Sequence, residues 1–276
     1  MMLLRSIFRR ARRATAALAA LTVGCQGCHK PEPPAPINMA TRHPVATNHG
    51  VVGVEGVAAF GTLTPPELER LRAAKVFWGH QSVGRDLMGG TRALGFPFET
   101  VTGPGDYARV VRGEAAIADN RDPERKIRSF RELFLNRNIG SAVEVAAFKF
   151  CWIDFNSDTD LDALEQHYAQ AVDEAHRRFP AVRFFHVTPP LTSDEVRENR
   201  IRLAFGQRLR NRYAGQAIVY DLAELQSTHD DGSRCVRDGG AVLCDEYRSD
   251  EGHFNDQGAQ RAARAFLFAI ARSLTP

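Results

Sequence analysis

Lys75-Val76-Phe77-Trp78-Gly79-His80-Gln81-Ser82-Val83-Gly84 passes from an apolar run into a segment of helical spacing within a few residues. Its first four residues have the β-branched and aromatic character of a buried strand. From Val83 to Leu94 the apolar positions recur with a helical period, so the stretch reads as strand, tight turn and helix. Working outward, the same alternation continues to the C-terminus. Strands are expected at 75–78, 98–102, 143–151, 182–188 and 217–221, with helices at 83–94, 123–135, 161–179, 194–213 and 257–274. Asp122, Asp160 and Ser193 stand where N-caps belong, and Thr64-Pro65-Pro66-Glu67 is a capping box that opens a helix running to about Ala74. Strand and helix in strict alternation predict an α/β fold, a three-layer sandwich in which a parallel five-stranded sheet is covered by helices on both faces.

In open sheets of this kind ligands bind beyond the carboxyl ends of the strands. Ser82 follows the first strand and opens a helix, where free backbone N–H groups and the macrodipole favour a developing oxyanion. Asp250-Glu251-Gly252-His253 lies just ahead of the last helix. A carboxylate three residues before an imidazole can fix its tautomer, and His253 could then deprotonate Ser82 for acyl transfer. Each residue alone has a structural reading, as an N-cap serine, a loop histidine and a turn carboxylate; together they favour catalysis. Asp256 is a rival orienter, placed instead as a cap of the last helix. His80, beside the serine, is expected to pack or to contact substrate.

The order of these parts over residues 70 to 274 resembles the SGNH (GDSL-like) hydrolase superfamily, with Gly79-His80-Gln81-Ser82 in place of the Gly-Asp-Ser block and Asp250-x-x-His253-Phe254-Asn255 as the closing block. The resemblance implies a flavodoxin-like sheet and a serine esterase with no metal or organic cofactor. It also implies an oxyanion hole built from the serine N–H, a glycine N–H and an asparagine amide. Ile117-Ala118-Asp119-Asn120-Arg121-Asp122-Pro123 stands at the second block without the glycine, and Asp154 stands where the third-block asparagine is expected. Asn120 is therefore the donor expected beside Ser82, with Asp154 orienting it, binding a substrate hydroxyl or buttressing a loop. The substrate expected from the superfamily is a small-molecule or glycan ester. A binding lipoprotein that has lost catalysis and a carbohydrate O-acyltransferase remain as alternatives.

Residues 1–24 hold five arginines and no acidic residue, followed by an apolar run from Ala14 to Val23 and then Gly24-Cys25. This reads as an export signal, too short to span a membrane. Leu21-Thr22-Val23-Gly24-Cys25 resembles a bacterial lipobox with Cys25 as the lipidation candidate; paired arginines leave twin-arginine export open. Residues 25–66 are rich in Pro and small residues and read as a linker, ahead of a hydrolase domain at 67–276. The expected location is the periplasm or a membrane surface of a bacterium. Without residues 1–24 the chain carries a net charge of −2, so no clustered basic face for nucleic acid is expected. Cys25-Gln26-Gly27-Cys28-His29 has the form of a haem-attachment motif, but the Pro-rich stretch behind it offers no helical domain to enclose a porphyrin. Cys235 and Cys244 flank an expected hairpin with an Asp-Gly turn and are the candidates for a cross-strand disulfide, while Cys151 reads as an inert core thiol. The histidines are scattered and none has the spacing of a helical metal-ligand pair.

Overall fold

The computed structural model describes residues 50–275. The stretches expected as an export signal and as a linker, Cys25 among them, lie outside the described residues up to residue 49. Seven strands form one sheet: β1 (Val51–Val52), β2 (Val76–His80), β3 (Glu99–Thr100), β4 (Arg112–Ala116), β5 (Val145–Phe148), β6 (Arg183–Val187) and β7 (Ile218–Tyr220). Their order across the sheet is β1-β7-β6-β5-β2-β4-β3, and every pairing is parallel. Setting the two-residue edges aside, the five central strands follow the doubly wound order in which β2 sits between β4 and β5. The order in which successive strands are laid down reverses there, and the crevice beyond the carboxyl ends is the place where this topology accepts a ligand.

Alternation along the strands divides the core into two layers. Val76 and Trp78 of β2 face one way with Phe185, Val187, Ile218 and Tyr220, against α1 (Glu55–Ala59), α2 (Pro65–Ala73), α3 (Val83–Ala93), α7 (Leu222–Gln226) and α8 (Asp256–Leu274). Phe77 faces the other way with Ala146, Phe148, Phe184 and Val219, against α4 (Pro123–Arg131), α5 (Leu161–Arg178) and α6 (Val196–Tyr213). Aromatic rings fill the middle of each layer: Trp78 meets Phe266 edge-on at 4.9 Å, and Phe130 stacks on Phe148 at 4.4 Å. Since both faces are buried, the strands carry short apolar runs, as parallel strands do.

The caps follow the sequence reading at three helices. Thr64 N–H donates to Glu67 Oε2 at 2.8 Å, Asp122 Oδ1 accepts from Arg125 N–H at 2.7 Å, and Asp160 Oδ1 accepts from the Asp162 and Ala163 N–H groups at 3.0 Å. Two caps differ. α6 begins at Val196 with Glu195 at its N-cap rather than at Asp194, and Ser193 lies ahead of the helix, its N–H donating to Glu251 O at 2.8 Å. α8 is capped by Asn255, whose Oδ1 accepts from Gly258 N–H at 2.9 Å, which makes Asp256 the first helical residue.

Three corrections concern the elements themselves. The sheet has seven strands, not five. β4 falls in a stretch that the sequence reads as loop, because Arg112-Gly113-Glu114-Ala115-Ala116 has little strand propensity and is held extended by pairing along its whole length with β2. The linker does not extend to residue 66: β1 pairs with β7, with Val219 N–H donating to Gly50 O and Asp221 N–H to Val52 O, both at 2.8 Å, and α1 lies on α8. A two-residue strand has no period for a sequence pattern to reveal. Among the described residues no helix is long and apolar enough to cross a membrane.

Candidate active site

Ser82 occupies the turn between β2 and α3 with φ 53° and ψ −119°, a conformation that L-residues avoid. The turn is short. Gly84 N–H donates to Gln81 O at 3.0 Å and Arg85 N–H to Ser82 O at 2.6 Å. Gly84 is required because a Cβ there would lie 2.5 Å from the His80 ring. The side chain so presented meets His253: Ser82 Oγ lies 2.5 Å from His253 Nε2. On its other side the ring reaches Asp250, with Nδ1 at 2.8 Å from Oδ2 and 3.0 Å from Oδ1. A carboxylate only accepts, so the ring proton sits on Nδ1 and Nε2 is left to accept from the serine hydroxyl.

Asp250 is fixed by its own turn, where Oδ1 accepts from Gly252 N–H at 2.9 Å and His253 N–H at 2.8 Å. Partial burial works against its charge, but these bonds and the imidazole hold the carboxyl below its ordinary range. Asp256, one residue beyond the cap of α8, has no part in this line. Sequence reasoning missed Asp86, one turn into α3 from the serine. Its Oδ2 accepts from Phe254 N–H at 3.2 Å, which ties the serine helix to the histidine segment, and burial raises its carboxyl above the usual value.

The other strand ends converge on the same edge. Ile117 N–H donates to His80 O at 3.2 Å and Lys149 N–H to Gly79 O at 3.0 Å, so the segments leaving β4 and β5 run beside the serine turn. The β4 segment is contorted, with Ala118 at φ 39° and Arg121 at φ 77°. It is held from below by Asp154, whose Oδ1 accepts from Arg121 N–H at 2.7 Å and whose Oδ2 accepts from Cys151 N–H and Lys126 Nζ, each at 2.6 Å. Lys126 Nζ also donates to Asn120 Oδ1 at 2.7 Å. A lysine ammonium has donors only, so Oδ1 must be the end that faces it, and the exposed Asn120 turns its NH₂ away.

Of the roles expected for Asp154 and His80, the structure carries the structural ones, a loop buttress and a packed side chain, rather than contact with substrate. The Asp154 side chain is wholly buried against an equally buried Lys126, and His80 is buried beneath the turn with Nε2 at 2.7 Å from Glu114 Oε2. Burial pulls the His80 pKa down, partly offset by Glu114. A second buried lysine, Lys149, has its ammonium pulled down to about 8 by burial and donates to Phe150 O at 3.1 Å. Cys151 is a buried free thiol. Cys235 and Cys244 are joined in a disulfide next to a hairpin formed by β8 (Val236–Arg237) and β9 (Gly240–Ala241).

No family model matches the chain, and no curated protein matches it. Its fold has solved counterparts. One is a protein assigned as a platelet activating factor from Streptococcus pneumonia, with 13% identity, TM-score 0.49, and coverage of 78% of this chain and 91% of that one. Another is assigned as a lipolytic protein of the G-D-S-L family from Desulfitobacterium hafniense DCB-2, with 12% identity, TM-score 0.45, and coverage of 71% and 99%. A third is an acetyl-xylooligosaccharide esterase from Geobacillus Stearmophilus, with 14% identity, TM-score 0.43, and coverage of 71% and 94%. The likeness is one of fold.

Proposed function

We propose that this chain is a serine esterase, a divergent relative of the SGNH hydrolases, acting through an acyl-enzyme on Ser82. The observation that carries the reading is the unbroken line from Ser82 Oγ through His253 to Asp250, set on a serine whose backbone is strained. Ser82 Oγ forms a bond to the ester carbonyl carbon while its proton passes to His253 Nε2. The carbonyl electron pair moves onto oxygen, where the Ser82 N–H at the head of α3 and the Asn120 NH₂ are the donors. Asp250 stabilises the imidazolium. Collapse of the tetrahedral species expels the alcohol oxygen, which takes the proton from Nε2, and a water then repeats the sequence to release the acid.

The alcohol is read as a hydroxyl of a glycan carrying a small acyl group, in keeping with export. The Cys235–Cys244 disulfide supports an oxidising compartment and with it the reading of residues 1–24 as an export signal. A fluorophosphonate should label the protein at Ser82, and Ser82→Ala should lower turnover of an aryl acetate by roughly 10⁴-fold or more with the fold intact. Retention of more than a tenth of wild-type turnover removes Ser82 as nucleophile. Products formed with and without an acceptor glycan tell hydrolysis from acyl transfer.

A further inference from the structure

The loop between α7 and the Asp250 turn brings together His229, Cys235, Cys244 and Glu246, with one ligand atom from each lying within 4.8 Å of the others. The two sulfurs are bonded, with their Cα atoms 5.4 Å apart. His229 Nδ1–H donates a hydrogen bond to Glu246 Oε1, and its Nε2 lies 2.9 Å from Cys235 Sγ. The carboxylate fixes the ring proton on Nδ1, so Nε2 turns a lone pair toward a disulfide sulfur that has no proton to give. That contact serves little in the oxidised state. It is the arrangement of a metal-binding imidazole, in which one nitrogen is held by a carboxylate and the other is free for the cation.

The cysteine backbones are anchored independently of the sulfur bond. Cys235 N–H donates to Ser227 O at 3.0 Å and Cys244 N–H to Gln226 O at 2.9 Å, both acceptors at the end of α7. Cleavage of the disulfide would therefore leave two thiols side by side. Ligand atoms on a tetrahedron with Zn–S of about 2.3 Å and Zn–N of about 2.0 Å stand roughly 3.5–3.8 Å apart, so the sulfurs need only part by a side-chain rotation. Two thiolates and an imidazole select zinc over magnesium or calcium.

We propose that reduction of the Cys235–Cys244 disulfide converts this loop into a Zn²⁺ site made of Cys235 Sγ, Cys244 Sγ and His229 Nε2, with water as the fourth ligand and Glu246 orienting the histidine. A dithiol reductant supplies two electrons and two protons and is itself oxidised to a disulfide; the S–S bond becomes two thiols. Binding Zn²⁺ then releases both protons. The loop is thus braced in either redox state, by a covalent bond or by a cation. The inference does not depend on the role of Ser82.

The test uses the full chain with Cys25→Ser and Cys28→Ser, so that the Cys-x-x-Cys-His run cannot contribute. Oxidised and dithiol-reduced samples are equilibrated with Zn²⁺ under argon, desalted and assayed for metal and free thiol. The reduced chain should retain close to one zinc and the oxidised chain less than a tenth of that, and Co²⁺ should give thiolate charge-transfer absorption only after reduction. Glu246→Gln should weaken zinc binding roughly 10- to 100-fold. His229→Ala, and Cys235→Ser with Cys244→Ser, should abolish retention. Failure of the reduced chain to take up zinc, or uptake that survives both sets of substitutions, overturns the proposal.

Discussion

An asparagine amide can present either end, and in this protein Lys126 decides which. If Asn120 is an oxyanion donor, Asn120→Ala should lower kcat by about 10²–10³-fold with little change in KM. Because the same change removes an acceptor of the buried Lys126 ammonium, it should also lower stability, by about 1–3 kcal/mol. Lys126→Met should impair kcat in the same way and destabilise the protein more, by about 3–5 kcal/mol, because it leaves the buried Asp154 carboxylate without its counter-charge. Denaturant unfolding and steady-state kinetics on both variants separate positioning from stability. At the lower half of the site, Asp250→Asn should impair turnover less than His253→Ala, since the amide keeps the shape of the turn but not the stabilisation of imidazolium; the reverse order would sink this assignment. Asp250 and His253 were legible in the sequence because three residues separate them, and Ser82 because it stands at a strand-to-helix turn. Lys126 was not, since only the fold brings it to Asp154. A lysine in line with Phe130 and Phe134 on the apolar stripe of α4 and its continuation was the one available hint.

At the scale of elements, the site depends on how closely α3 approaches α8. A Cβ on Gly90 would lie 2.2 Å from Ala259 O, a backbone atom that cannot swing aside. Gly90→Ala should raise helix propensity by up to about 1 kcal/mol yet leave the protein less stable, by roughly 1–3 kcal/mol, as overpacked sites are. A urea midpoint at or above wild type would show that the helices can part without cost. Helices announced themselves through Asp122, Asp160 and the Thr64 capping box, all chemical signals confined to four residues. β4 could not, because its strand state is imposed by β2 rather than chosen by Arg112–Ala116.

Across the whole molecule, burial sets the response to acid. His186 is enclosed, with Nδ1 2.9 Å from the Tyr168 hydroxyl and its ring stacked 3.5 Å from Tyr213, and burial pushes its pKa down to about 3. The unfolded chain takes up this proton at about pH 6.5, the folded chain only near the depressed value, so stability falls as pH drops between them, by up to about 1.4 kcal/mol per pH unit. Buried His80 adds to the same trend. His186→Phe should flatten the pH dependence of unfolding measured in urea; an unchanged slope would place the acid sensitivity elsewhere. The parallel α/β sheet was legible because it is a property of the whole alternation, whereas its edges depend on pairings that no local pattern encodes. Edge strand β1 also matters for solubility. A chain trimmed at residue 66, where composition alone would place the start of the domain, loses β1 and α1 and bares the Val219 and Asp221 amides along an apolar β7. Such a chain should self-associate through that edge, visible as concentration-dependent light scattering, while one beginning at Gly50 stays dispersed.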